Sequence, residues 1–125
     1  MSINIHQIAQ KIAEQLAASE CSQPFGTQYD VYKLLNHIYL IAFELNGISI
    51  LNVKVDPLRG EMLRDFYPFI RTGYHMNKRH WISIYTHEDV TVELLEDLIR
   101  SSYQLVSRKL TKIQKQQLAL IQSIA

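Results

Sequence analysis

Basic and hydrogen-bonding side chains are concentrated in residues 73–81, which read GYHMNKRHW. The segment contains Lys78, Arg79, Asn77 and two histidines, and it has no acidic residue. Lysine and arginine bind phosphate oxygens, whereas asparagine and histidine can hydrogen-bond to sugars or base edges. We therefore expect this segment to contact nucleic acid, with its lysine and arginine on the phosphates.

The excess of positive charge extends upstream of this segment. Between positions 54 and 79 there are six basic and three acidic residues, whereas the whole chain has thirteen Lys and Arg against twelve Asp and Glu. A dedicated non-specific DNA binder usually has a larger overall basic excess, so DNA binding is expected to be weak. The alternative is a solvated turn whose cations only keep the surface hydrated. The side chains assigned to DNA binding are Lys54, Arg71, His75, Asn77, Lys78 and Arg79.

Trp81 and Tyr85 lie on one face of a predicted strand. If exposed, the pair could stack on bases or anchor a protein partner, and if covered by a helix it would belong to the core. The C-terminal helix also has an apolar stripe, which either joins the core or faces a partner. A protein-interaction domain, or a homodimer, is therefore the alternative to DNA binding. The stripe comprises Ile113, Leu118, Ile121 and Ile124, and a partner would meet Leu118, Leu120 and Ile121.

No pattern of residues predicts catalysis, a cofactor or a metal. The four glycines form neither a phosphate-binding loop nor a dinucleotide fingerprint, and no nucleophile elbow is present. Cys21 is the only cysteine, and the adjacent Glu20 would raise its pKa rather than activate the thiol. His80 and His87 fall on opposite faces of a regular strand, so they do not form a metal site. We expect a non-enzymatic protein with no cofactor.

The sequence also indicates where the protein is found. A single cysteine suits a reducing compartment, and the N-terminus has no basic segment followed by an apolar run. The longest apolar run, residues 38–43, is far too short to span a bilayer. We therefore expect a cytoplasmic protein that does not bind membranes, folded as one domain over residues 1–125.

Local sequence signals predict where the helices and turns that position these side chains begin and end. Asn4, Asp56, Thr91 and Thr111 are each followed by a helical pattern that they can cap. The dipeptide Asn46-Gly47 separates two apolar runs and predicts a type I′ hairpin. Both faces of the first of these runs are apolar, so the second face of the sheet should be at least partly covered, for example by a partner subunit.

The elements follow the order αβββαββαα. This order predicts an α+β protein with five strands and four helices. Residues 21–28 are expected to form a loop, because Pro24 and Gly26 interrupt the pattern. The predicted helices cover residues 5–16, 57–66, 92–109 and the stretch after Thr111, and the predicted strands lie within residues 30–55, 69–75 and 80–86.

The segment GYHMNKRHW, together with SSYQLV at residues 101–106, resembles the MmcQ/YjbR family. The stretches VYKLL at 31–35 and NVKVDP at 52–57 are also similar to that family, so the resemblance covers about residues 25–110. The resemblance implies a YjbR-like α+β fold of two layers, similar to that of secretion chaperones, in which an antiparallel five-stranded sheet packs on helices. It also implies membership of a family described as predicted DNA-binding. Asn36-His37 stands where such sequences often have Gly-Lys, and Thr72 stands where proline is common.

Overall fold

The computed structural model describes residues 2–124 of the chain. Its helices are α1 (Ile5–Glu14), α2 (Pro57–Phe66), α3 (Val92–Ser107) and α4 (Lys112–Ile124). Its strands are β1 (Ser19–Ser22), β2 (Tyr29–Leu34), β3 (His37–Leu45), β4 (Ile48–Lys54), β5 (Ile70–Thr72) and β6 (Trp81–Tyr85). No helix within residues 2–124 is both long and apolar enough to cross a bilayer.

The predicted two-layer α+β architecture is confirmed, but the sheet has six strands rather than five. Every pairing is antiparallel, in the order β1-β2-β3-β4-β6-β5. The missed strand is β1, whose second half falls in the segment predicted as a loop. Three of its four residues are exposed, and it pairs with β2 as an edge strand of the sheet. An edge strand held by backbone pairing needs no alternation of apolar residues, so no periodic pattern predicts it.

One face of the sheet packs against α1 and α3 to form the main core. Along β4, Leu51 and Val53 point into this core and are fully buried. They meet Ala9 of α1 and Leu98 of α3, which belong to the same buried cluster. A large aliphatic side chain buried in this way contributes about 1.5–3 kcal/mol, so the helical layer is the main source of stability.

The opposite face of the sheet carries a smaller apolar cluster that the chain itself covers. Ile41, Phe43 and Ile50 are buried on this face, and Tyr74 and Met76 from the connection between β5 and β6 pack over them. The rings of Phe43 and Tyr74 are stacked with centroids 5.7 Å apart. Residues 73–80 therefore supply cover on the second face of the sheet.

All four predicted helix caps are confirmed. The side chains of Asn4, Asp56, Thr91 and Thr111 each accept a hydrogen bond from a backbone N–H in the first turn of the helix that follows. At the last of these, the Gln114 side chain returns a bond to the Thr111 backbone N–H and completes a capping box. Each cap contributes about 1 kcal/mol, which explains why the helix starts could be read locally.

Helix α4 is attached to the body at only a few points. Leu118 is buried, but Ile113, Ile121 and Ile124 of the predicted stripe are exposed. Gln114 Nε2 donates to the carbonyl oxygen of Leu35 at 3.3 Å, which ties the first turn of α4 to the start of β3. The stripe therefore does not form core in this chain, because one residue of four reaches the main apolar cluster.

Candidate nucleic-acid interface

The connection between β5 and β6, residues 73–80, is a strap fastened across the sheet rather than a free hairpin turn. Asn52 Nδ2 donates to the carbonyl oxygen of Tyr74 at 3.0 Å, and the Tyr74 N–H donates to Ser83 Oγ at 2.8 Å. Ser83 Oγ donates in turn to Asn52 Oδ1. Asn52 and Ser83 are buried, so this polar pair fixes the start of the strap to the middle of the sheet.

Asn77 shapes the far end of the strap. Its Oδ1 accepts hydrogen bonds from the backbone N–H groups of Arg79 at 2.9 Å and His80 at 3.2 Å, and its carbonyl oxygen accepts from the Trp81 N–H at 3.0 Å. This arrangement is an Asx turn. The side-chain oxygen predicted to meet sugars or bases is therefore occupied, and Nδ2 is the atom that Asn77 can offer to a ligand.

His75 lies at the outermost bend of the strap. Its φ of 57° is in the left-handed region, which few residues other than glycine adopt. Its ring meets that of Tyr74 edge to face, with centroids 4.1 Å apart. His75 is exposed, so it keeps the accessible position that its predicted role requires.

The strap also presents its cations to solvent. Lys78 and Arg79 are exposed, and Lys78 Nζ donates to the carbonyl oxygen of Gly73, which bends this side chain back along the strap. Arg71, on β5, places its guanidinium 4.8 Å from the centre of the Tyr85 ring. Among residues 2–124, no ion pair involves any of these three cations. Their charges are thus available to an anionic ligand.

A groove between α2 and the strap, called the α2 groove here, gathers part of this charge. In its lining, two cations of the strap meet Arg64 of α2, while Asp56 and Glu61 supply opposing charge. Arg64 was one of the six basic residues counted in the sequence but was not assigned to the site.

The volume of the α2 groove is about 630 Å³. The cations that line the groove are Arg64, Lys78 and Arg79, and its two carboxylates are Asp56 and Glu61. The groove is therefore cationic but mixed in charge, which fits weak binding of an anion better than tight binding.

Gly60 allows the head group of Arg64 to pack close to α2. A Cβ atom at position 60 would lie 2.8 Å from Val55 Cγ2 and 3.4 Å from Arg64 Nη1. Within residues 2–124, Arg64 Nη1 is buried without a hydrogen-bond partner, which costs about 1–3 kcal/mol. Gly60 thus sets the position of one charge of the α2 groove.

Lys54 does not join the strap cations. It ends β4 opposite Trp81, but its ammonium group faces that of Lys109 beyond the end of α3. Burial lowers the pKa of Lys54, and the charge of Lys109 lowers it further. The six predicted side chains are therefore divided, with Lys54 at the end of α3 and the other five on β5 and the strap. Sequence spacing could not show this separation, because it depends on how α3 crosses the sheet.

Trp81 and Tyr85 are both half-buried, so the structure places them between the two predicted alternatives. The Tyr85 ring holds Arg71 on the strap side of the sheet and also contacts both apolar clusters. The Cβ of Trp81 lies close to Gly73 at the start of the strap. Both rings thus support the strap, and each keeps part of its surface accessible.

The segment SSYQLV has a structural role. Ser102 Oγ donates to the carbonyl oxygen of Tyr39 at 2.6 Å and accepts from the Lys54 N–H at 2.8 Å. Tyr103 donates its hydroxyl to the carbonyl oxygen of Ala17 at 2.6 Å, and its ring meets that of Tyr39 edge to face. These contacts join α3 to the sheet and to the end of α1.

The side chains that most often bind metal ions are scattered in the part of the chain that the structure describes. Residues 2–124 contain no cluster of three His, Cys, Asp or Glu side chains able to hold a metal ion. Burial raises the pKa of the Cys21 thiol, and the nearby Asp30 carboxylate raises it further. The direction of this shift matches the prediction, but its causes are burial and Asp30 rather than Glu20.

These features define an α+β protein with an antiparallel sheet, one face of which carries a fixed cationic strap. The YjbR family model matches residues 14–105, and the chain belongs to the YjbR family, as its sequence resemblance predicted. The uncharacterized protein YbdF of Escherichia coli O157:H7 is 40% identical over 109 residues, which are 87% of this chain and 89% of YbdF.

Two solved structures share the fold. The crystal structure of Deinococcus radiodurans protein DR2400, which contains the domain DUF419, is 34% identical with a TM-score of 0.78, and the match covers 88% of this chain and 84% of that one. The crystal structure of a protein from Pseudomonas syringae is 24% identical with a TM-score of 0.71, and the match covers 83% of this chain and 99% of that one. The second likeness concerns the fold alone.

Proposed function

We propose that this chain is a non-enzymatic, cytoplasmic protein that binds DNA weakly through phosphate contacts of the strap. The observation that carries the proposal is the fixed strap, on which Lys78 and Arg79 are exposed and form no ion pair within residues 2–124. Lys78 and Arg79 make the principal contacts, and Arg64 and Arg71 add charge on either side of β5. His75 and Asn77 offer hydrogen bonds to sugars or bases.

The rigidity of the strap favours binding by so few cations. The bonds from Asn52, Ser83 and Asn77 hold the backbone in place before any ligand arrives. Little backbone entropy is then lost on binding, so more of the electrostatic attraction appears as affinity. Four phosphate contacts nevertheless make a small interface, and the affinity should depend strongly on salt.

Replacing Lys78 and Arg79 together with alanine should weaken DNA binding and flatten its dependence on salt. With about four phosphate contacts, the affinity of the wild-type chain falls roughly 10²-fold between 50 and 200 mM salt. Loss of two contacts reduces the slope of log K against log salt by about 1.8. Fluorescence anisotropy of a labelled duplex measures both quantities.

The matched control replaces Lys112 and Lys115 of α4 with alanine. This variant has the same change in net charge, but its substitutions lie outside the strap and the α2 groove. Its affinity and salt slope should stay close to those of the wild-type chain. Equal losses in the two double variants would show that net charge alone governs binding, and the strap would lose its assigned role.

Self-association is the second candidate function, favoured by exposed apolar residues on two helices. The acids Glu61 and Asp65 of α2 are balanced by Arg59 and Arg64, so apolar contact rather than charge would hold the α4 of one copy against the α2 of another. Apolar contacts persist at high salt, unlike phosphate contacts. Sedimentation velocity in the same two salt buffers separates the candidates. The exposed residues are Leu58, Met62, Phe66, Ile113, Leu120, Ile121 and Ile124.

A further inference from the structure

A second cationic pocket lies where the end of β4 meets the last turns of α3. Lys54, Arg59 and Arg108 line it, together with Ser101 and Gln104. The lining also includes Asp56, whose Oδ1 accepts a hydrogen bond from the Leu58 N–H. This pocket is separate from the strap and involves none of the cations assigned to DNA binding in the proposed function.

Most of the positive charge at this pocket has no counter-ion. Arg59 is paired with Asp97, with 2.7 Å between Nη2 and Oδ2. In the part of the chain that the structure describes, no ion pair involves Lys54, Arg108 or Lys109. Lys109 is not part of the pocket lining, but its ammonium group lies close to that of Lys54.

Two facing ammonium groups repel, and the repulsion grows as water is excluded from around them. Burial and the charge of Lys109 both lower the pKa of Lys54, in keeping with this cost. An anion between the two groups would replace repulsion with two attractive contacts. The arrangement is therefore more stable with an anion present than without one.

We propose that this pocket binds a phosphate dianion, either inorganic phosphate or the terminal phosphate of a small monoester. From the lining, Lys54 supplies an ammonium group and Arg108 a guanidinium, and Lys109 adds a second ammonium group beside Lys54. These cations suit a group carrying close to two negative charges at neutral pH. The pocket volume is about 180 Å³, the space of about six water molecules. That volume holds the five non-hydrogen atoms of a phosphate group and excludes a whole nucleotide.

Thermal denaturation of the full chain tests this proposal. In about 20 mM sodium phosphate, the Tm of the wild-type chain should exceed its value in sodium chloride of equal ionic strength by about 3 °C. Lys54→Met and Lys109→Met should each remove this difference. Without phosphate, neither substitution should lower the Tm, because each relieves the repulsion. Lys11→Met, on α1, is the control and should keep the phosphate effect.

Further arms identify the source of the phosphate. If glycerol 3-phosphate raises the Tm as much as inorganic phosphate does, the pocket accepts phosphate monoesters. If only inorganic phosphate raises the Tm, the pocket binds the free ion alone. If phosphate raises the Tm no more than chloride, or the rise persists in both lysine variants, the proposal is overturned. A third result also overturns the proposal: Lys54→Met weakens binding of a duplex that has no terminal phosphates, while inorganic phosphate does not change the Tm. The pocket would then bind a phosphodiester of the DNA backbone.

Discussion

Replacing Ser102 with alanine lowers the free energy of unfolding by about 3 kcal/mol. The hydroxyl of Ser102 links three elements, because it donates to Tyr39 in β3 and accepts from Lys54 in β4 while it sits on α3. Alanine leaves a backbone carbonyl and a backbone N–H without their partner in a buried region. Each unsatisfied group costs about 1–3 kcal/mol, so the loss exceeds that of an ordinary serine substitution.

Urea denaturation followed by circular dichroism measures this effect. Ser107→Ala is the matched control, because Ser107 lies one and a half turns further along α3 and its hydroxyl bonds only the Gln104 carbonyl of its own helix. Its free energy of unfolding should change by less than about 0.5 kcal/mol. Similar stabilities for the two variants would contradict the role assigned to Ser102.

Replacing Gly73 with alanine displaces the strap and lowers stability by about 2–3 kcal/mol. A Cβ atom at this position would lie 2.6 Å from Trp81 Cβ and 3.0 Å from the Trp81 carbonyl oxygen. Neither atom is at the end of a flexible side chain, so the backbone itself has to move. The hydrogen bond from the Gly73 N–H to Trp81 is then strained or lost.

The single tryptophan reports on this change directly, since Trp81 is the residue that the new methyl group would strike. Urea denaturation should show the loss of stability, and the emission of Trp81 should shift toward that of an exposed indole. Thr72→Ala, at the neighbouring exposed position, should change neither quantity appreciably. An unaltered emission spectrum and stability in Gly73→Ala would show that the strap is not packed as described.

Local sequence signals predicted the parts of the fold that local physics determines. Helix starts followed from capping side chains, and the hairpin at Asn46-Gly47 followed from a dipeptide that adopts positive φ at both positions, as observed at 52° and 78°. The family resemblance added the antiparallel sheet and its helical cover. Asn36, between β2 and β3, also has a positive φ of 71°, which asparagine tolerates better than most residues.

The remaining features depend on contacts between distant segments. The strap covers the second sheet face because Asn52 and Ser83 become neighbours only when β4 pairs with β6. Lys54 lies apart from the strap cations because its ammonium group is close to that of Lys109, just after α3. The apolar stripe of α4 is mostly exposed because Leu118 is the one stripe residue, within residues 2–124, that is buried. No spacing within the sequence encodes these distances.

The central claim, that DNA meets the fixed cationic strap, is tested most directly by an NMR titration of the isotope-labelled chain with a short duplex. At about 50 mM salt, the backbone amides that shift should cluster at residues 71–80, and the shifts should shrink at about 200 mM. Shifts confined to α4, or no shifts at low salt, would contradict the claim.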